Sequence, residues 1–188
     1  MLPPSATPTI LQALRSETRP AHDALEQNDF NQALTAGTIT EAATAHFLAK
    51  MYGFLVPYEA RLRQQELGPE WEVFTRQRAH LILDDLQQPA SALEICSDMP
   101  SLTSWPELLG TMYVMEGSTL GGQVIARQLA KANIPLRNYF SGYGERTGPL
   151  WKAFCQLLTQ EATTDNQAAI VQSASLTFQK LSAWLNQP

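Results

Sequence analysis

The sequence has little of what metal clusters and disulfide frameworks are made from. Its 188 residues include two cysteines, Cys96 and Cys155, and three histidines, His22, His46 and His80. The cysteines are far apart with no Cys-x-x-Cys, which excludes a disulfide scaffold or a zinc knuckle and leaves two packed thiols. No Glu-x-x-His occurs, so the ligand pattern of carboxylate di-iron bundles is missing. Neither Gly-x-Gly-x-x-Gly nor Gly-x-x-x-x-Gly-Lys-Ser/Thr is present, so dinucleotide and nucleotide binding have no motif. No apolar run approaches the roughly 18 residues of a membrane span, and no basic stretch followed by an apolar one opens the chain. These absences predict a cytoplasmic protein with no membrane contact. Lys and Arg number 13 against 18 Asp and Glu, a formal net charge of −5. Without a cluster of positive charge there is no basis for nucleic-acid binding, and a small ligand or a protein partner is expected instead.

Helical periodicity is what the sequence does contain. Alternating runs of β-branched residues are missing, and 44% of the residues are hydrophobic, which predicts an all-α single domain with its own core. A Pro-rich leader over residues 1–9 (Pro3, Pro4, Pro8) precedes a domain over 10–188. The first helix should span about Thr9 to Gln27, with Leu11, Leu14, Thr18, His22 and Leu25 on one stripe and a kink or break near Pro20. A short helix from Asp29 to Ala36 should end at Gly37. Thr40 should cap a long helix reaching about Glu66. A fourth helix is expected from Glu70 to Gln87 with Phe74, Leu81 and Leu83 among its apolar positions. Residues 88–106 admit at most a short helix around Ala90 to Cys96. A Gly-bearing helix follows from Pro106 to Ala132, then an aromatic loop over 133–149, then helices near Leu150 to Glu161 and Asn166 to Asn186.

Two of these helices do not read as plain scaffold. Gly117, Gly121 and Gly122 each oppose helix formation by about 1 kcal/mol relative to alanine. Gly110, Gly117 and Gly121 share one face, where bare backbone meets whatever packs there. Either a neighbouring helix approaches through small residues, or a flat, bulky ligand lies on the backbone. On the first helix, His22 has Glu26 one turn later, able to accept from one imidazole nitrogen and leave the other free as a ligand. Arg15, two turns before His22, suits an anionic group at a pocket edge. One histidine ligand, a basic rim and a glycine surface together point to haem. Covering roughly 400 Å² of apolar macrocycle would contribute about 10 kcal/mol before association costs, enough to offset the glycines. His46 and His80 lack companions at ligand spacing, and nothing near Cys155 in sequence would activate its thiol.

The segment Leu14 to Glu26 (Leu-Arg-Ser-Glu-Thr-Arg-Pro-Ala-His-Asp-Ala-Leu-Glu) resembles the proximal helix of the haem oxygenases. Gly117-Ser118-Thr119-Leu120-Gly121-Gly122-Gln123-Val124 resembles their distal helix. Tyr113 to Gly122 and Phe140 to Trp151 are most similar to the bacterial branch encoded beside bacteriophytochromes. The resemblance implies a helical bundle with haem sandwiched between a proximal helix and a kinked, Gly-rich distal helix. It implies His22 as the iron ligand and Glu26 as its partner. Arg15 and Lys152 would hold propionates, Thr18, Tyr113 and Gly122 would also contact haem, and Gly117, Ser118 and Gly121 would form the catalytic distal side. The implied activity is oxidative cleavage of haem, both substrate and cofactor, to biliverdin, CO and ferrous iron. It uses O₂ and electrons from a ferredoxin or reductase; a neutral histidine ligand leaves the sixth site open. The protein would be a monomer supplying a bilin chromophore to a bacteriophytochrome. Two positions depart from the pattern. Ser118 stands where many members carry an Asp that orders distal water, which predicts slower turnover. Gln156 stands where many carry a second basic residue, which leaves haem seating and the cleaved meso carbon open. A non-catalytic haem-binding, storage or sensing protein on the same fold is the alternative. A thiaminase-like member would need a nucleophilic cysteine and acidic pocket residues that the sequence does not place.

Overall fold

Thr9 starts the first helix by a reciprocal cap, its hydroxyl accepting from Gln12 N at 3.3 Å while the Gln12 amide oxygen accepts from Thr9 N at 2.9 Å. The computed structural model describes residues 9–187, so the leader prolines Pro3, Pro4 and Pro8 lie outside the described residues. Where one interrupted helix was expected there are two, α1 (Ile10–Glu17) and α2 (Arg19–Leu25). The break falls at Thr18, which puts Pro20 in the first turn of α2, where its missing N–H is not needed. Thr18 N still donates to Leu14 O and His22 N to Thr18 O, so the ladder crosses the break and the stripe keeps its phase. Leu14 and Thr18 are buried, whereas α2 has no buried residue at all.

The next two helices follow the sequence closely. α3 (Asp29–Ala36) is capped by Asn28 and closed by Gly37 at φ +70°. α4 (Glu41–Arg63) is capped by Thr40, whose side chain accepts from Ala43 N, and stops three residues short of Glu66. The helix expected from Glu70 to Gln87 is corrected. Only a 3-10 turn (Pro69–Trp71) and α5 (Ala79–Leu86) are helical, and Phe74, expected in the core, is 86% exposed. Two arginines, Arg76 and Arg78, turn inward here beside Trp71 and Ile82. Arg76 is fully buried, its Nε donating to Trp71 O at 2.6 Å and its Nη1 paired with Glu116. Glu59 of α4 caps α5, one oxygen accepting from Arg78 N at 2.6 Å and Ala79 N at 2.9 Å. The short helix around Ala90 to Cys96 shrinks to a 3-10 turn at Ala90–Ala92.

The remaining helices form the centre of the bundle. α6 (Trp105–Lys131) is helical throughout its glycines, α7 (Thr147–Glu161) starts three residues before Leu150, and α8 (Gln167–Leu185) lies along α6. No β-strand occurs among the described residues, as the periodicity predicts. Phe54 and Leu62 of α4 and Leu109, Met112, Phe154 and Ile170 of these helices are fully buried. No helix among the described residues is long and apolar enough to cross a membrane.

α6 begins with a second reciprocal cap. Glu107 Oε2 accepts from Ser104 N at 2.8 Å and from Thr103 N at 3.0 Å. The Ser104 backbone bond, helped by the Ser and Thr hydroxyls, lowers the Glu107 carboxyl from its usual 4.5 to about 2. A folded-state value below the unfolded one stabilises the protein above the unfolded value, and the gain disappears as pH falls through the folded value. Glu107→Gln keeps the capping geometry and removes the charge. Its melting temperature is therefore expected to lie below wild type at pH 7 and to converge on it as pH falls from about 4.5 toward about 2. An equal difference at pH 7 and at low pH would contradict this.

Candidate functional site

Between α1–α2 on one side and α6 on the other lies a cavity of about 590 Å³. Arg15, Thr18, His22 and Glu26 border it from α1 and α2, and Tyr113, Gly117, Ser118, Gly121 and Gly122 from α6. Its floor is apolar, made from Phe47 and Met51 of α4, Phe140 of the loop, and Phe178 and Leu181 of α8. Nine of the ten residues singled out from the sequence thus meet around one space. Lys152 does not: it is exposed and outside the lining, while its neighbour Trp151 takes the cavity position.

His22 occupies the open wall. Its ring packs edge-on to Phe178 at 5.5 Å between centroids. Nε2 lies 3.7 Å from Glu26 Oε1, and Nδ1 lies 3.6 Å from Asp23 Oδ1. Glu26, expected to accept from one imidazole nitrogen, lies beside the ring without a hydrogen bond to it, and Asp23, adjacent in sequence, is a second carboxylate that the spacing did not indicate. Neither contact is within hydrogen-bond distance, so both ring nitrogens keep a lone pair or proton to offer. Thr18 has a structural role, its hydroxyl donating to Leu14 O at 2.7 Å. Arg15 sits exposed on the rim with Arg19, one turn along, which Asp23 holds through two bonds to Nε at 2.9 and 3.0 Å. The turn-spaced pair Arg15 and Arg19 was the signal that could have identified the second rim cation.

The glycines of α6 divide between the two explanations the sequence left open. A Cβ on Gly110 would lie 2.3 Å from Ile170 O, and one on Gly122 would lie 2.7 Å from Phe140 O. Both are close-packing glycines, although Gly122 also borders the cavity. Gly121 would meet nothing within 4 Å, and Gly117 would only touch the Trp151 ring at 3.6 Å. Gly121 leaves backbone facing open space, and Gly117 has only the Trp151 ring nearby at ordinary contact distance. Ser118 turns its hydroxyl to Met115 O at 2.7 Å. Tyr113 packs against Trp151, ring centroids 5.6 Å apart, and burial raises its pKa.

The inner end of the cavity carries polar groups that periodicity did not anticipate. Arg78 and Tyr139 both line it. Asp85 positions Tyr139, its two oxygens accepting from Asn138 N and Tyr139 N at 3.0 Å each. Behind them, Glu116 pairs with Arg76 and accepts from the Tyr143 hydroxyl at 2.9 Å. Burial, reinforced by Glu116, pushes the Tyr58 and Tyr143 phenols up, and burial does the same to Tyr139. All three therefore stay protonated donors near neutrality. His46 and His80 are exposed away from the cavity. Burial pushes the Cys155 thiol up to about 11, against the thiolate a nucleophile needs.

The fit to a large flat ligand follows from this lining: an apolar floor, an uncovered α2, and Gly121 with no atom near its missing side chain. Comparison with known proteins agrees. The family model described as heme oxygenase matches residues 75–187. A heme oxygenase of Xanthomonas campestris pv. campestris (strain 8004) is 30% identical over 137 residues, covering 69% of this chain and 79% of that one. The fold is similar to that of heme oxygenase from Leptospira interrogans (TM-score 0.78, 18% identity, covering 95% of this chain and 98% of that one). It is also similar to heme oxygenase-1 of Synechocystis sp. PCC6803 in complex with heme (TM-score 0.77, 15% identity, 95% and 91% coverage). A third similar structure is the NO- and CO-bound enzyme of Neisseria meningitidis (TM-score 0.77, 19% identity, 95% and 91% coverage). With more than half its length matched by the family model and a curated relative at this identity, the chain belongs to the haem oxygenase family.

Proposed function

We propose that the protein cleaves haem to biliverdin, CO and ferrous iron, with His22 as the iron ligand. The observation that carries this is the pairing of His22 on one wall with the bare Gly117 and Gly121 backbone on the other, across an apolar cavity. Haem, when bound, supplies both the macrocycle that is oxidised and the metal at which O₂ is reduced. The protein supplies the rest. Asp23 and Glu26 lie beside the two ring nitrogens of His22, so that when one nitrogen turns to the iron a carboxylate stands ready to accept from the other. Arg15 and Arg19 give propionates a cationic rim, to which Lys152 would add only after its side chain swings toward the cavity. Phe47, Met51, Phe140 and Phe178 cover the macrocycle's apolar edge and exclude bulk water. Gly117 and Gly121 keep side chains off the opposite face, leaving room for a small ligand to lie flat against it. Ser118 and Tyr139 can hold water there, through which a proton can be relayed.

Electrons would come from a ferredoxin or a reductase in the cytoplasm, the protein acting as a monomer. The similarity of Tyr113 to Gly122 and of Phe140 to Trp151 to the bacteriophytochrome-associated branch supports biliverdin delivery to such a photoreceptor. One observation favours the non-catalytic alternative of haem storage or sensing: the Ser118 hydroxyl is engaged by Met115 O, so the distal side lacks the carboxylate many relatives carry there. Product chromatography decides between them. Hemin-loaded protein given reductant in air is expected to yield a bilin, resolved against the four biliverdin isomers. An unchanged Soret band with no bilin would sink the catalytic proposal and leave the storage reading.

A further inference from the structure

α7 meets the cavity with an uncharged face. Trp151 lines the space and Cys155, one turn later, is half-buried, whereas Lys152 and Gln156 share the neighbouring stripe, exposed and outside the lining. The cations that do line the cavity come from other elements. Arg15 and Arg19 stand at the rim on the α1–α2 side, and Arg78 is buried at the inner end with Nη2 donating to Met115 O at 3.0 Å. The rim is therefore cationic on one side and aromatic on another.

The Trp151 ring is held from several directions. Tyr113 of α6 packs against it with centroids 5.6 Å apart, and Phe154 lies at 5.9 Å. Its outer edge is the only group that a Cβ on Gly117 would touch, at 3.6 Å. Phe154 is fully buried and carries the Arg76 guanidinium over its ring at 5.7 Å, while Arg76 is tied to Trp71 O and Glu116. Packing of this density leaves the indole little room to retreat from the cavity.

A wall of this kind discriminates between the edges of a planar ligand that carries its carboxylates at one end. An apolar edge gains by covering the indole. A carboxylate placed there would lose water and find no cation on α7, whereas on the α1–α2 side it meets two guanidinium groups. A single histidine ligand fixes the metal and leaves the macrocycle free to turn in its own plane. Something else must choose the rotation.

We propose that Trp151 is a specificity-determining residue: as the uncharged side wall of the cavity it sets the in-plane rotation of haem about His22, directing the propionates to Arg15 and Arg19 and so selecting the meso carbon that is cleaved. The inference rests on the haem-cleavage reading, and its test keeps the two failures apart. Hemin-loaded wild type, Trp151→Ala, Trp151→Arg and Trp151→Phe are compared in two ways. Proton NMR of the cyanide-bound forms reports the rotation through the haem-methyl pattern, and chromatography identifies the bilins formed with reductant in air. Wild type is expected to show one dominant seating and one dominant isomer. Trp151→Arg adds a cation on α7 and is expected to shift the ratio of two seatings by about 10- to 100-fold, the range of one charge-assisted bond. Trp151→Ala removes the wall and is expected to give a mixture, whereas Trp151→Phe keeps an apolar ring and retains the wild-type pattern. Methyl pattern and isomer ratio unchanged in the Ala and Arg variants overturn the proposal. Loss of hemin binding in all three variants, Phe included, overturns it as well, because Trp151 would then be scaffold. A wild type that binds hemin and forms no bilin overturns the cleavage reading and leaves the seating to be decided by the methyl pattern alone. No Soret band in the wild type overturns both.

Discussion

His22→Ala is expected to weaken haem binding at least about 100-fold and to leave the fold intact. Of the three histidines, His22 alone borders the cavity. Removing even a group that only supports a metal ligand typically costs about 10- to 100-fold in affinity, so losing the ligand itself must cost more. The fold should tolerate the change because α2 buries none of its side chains and His22 contributes only an edge contact to Phe178. Melting should therefore move by no more than a typical surface substitution, within about 0.5 kcal/mol. A hemin titration read at the Soret band, with circular dichroism alongside, checks both halves. Imidazole added to the variant should restore part of the band, since the emptied wall leaves room for a free ring. A variant binding hemin as tightly as wild type would mean that the iron ligand lies elsewhere.

Opposite effects are expected from one substitution made at two places on α6. Gly121→Ala places a methyl in open space, with no atom within 4 Å, and removes a helix-interior glycine. The apoprotein should gain about 1 kcal/mol, roughly 2–4 °C in melting temperature for a chain of this size. Gly110→Ala gains the same helix propensity but drives its methyl to 2.3 Å from Ile170 O and 2.7 Å from Ser173 Cβ. A backbone carbonyl and a Cβ fixed to its own backbone leave nothing to rotate away, and overpacking of about 1–3 kcal/mol should outweigh the gain. A bulky side chain at the first position, Gly121→Phe, should abolish hemin binding while the apoprotein melts near wild type. Thermal melts of the apoproteins and hemin titrations read these outcomes. Equal shifts for the two alanine variants would show that the glycines of α6 do not divide between packing and ligand.

Why those glycines could not be sorted from sequence is plain from their neighbours. Spacing put Gly110, Gly117 and Gly121 on one face, but whether that face meets Ile170, Trp151 or nothing is decided by where α8 and α7 dock. The helices themselves were largely legible: Thr40 and Asn28 cap as their side chains allow, and Gly37 ends α3 in the left-handed region. The error over 70–87 has one cause. Periodicity counts apolar positions and took Phe74 for core, whereas the segment buries Arg76 and Arg78 and exposes the phenylalanine. Paired or capped charges leave no periodic mark, so Arg78 and Tyr139 stayed hidden until Met115 O and Asp85 were seen to position them. The His22, Glu26 and Arg15 constellation was legible because a helix turn alone brings it together. Lys152 depends on the rotation of α7 about its own axis, which no local rule supplies.

CO evolution measured per haem consumed addresses the central claim most directly, since releasing a carbon from the macrocycle is something that storage or sensing does not do. Hemin-loaded wild-type protein given reductant and O₂ is predicted to release about one CO per haem as its Soret band decays, with His22→Ala releasing none. A Soret band that persists without CO, or that bleaches equally in both proteins, would contradict the account.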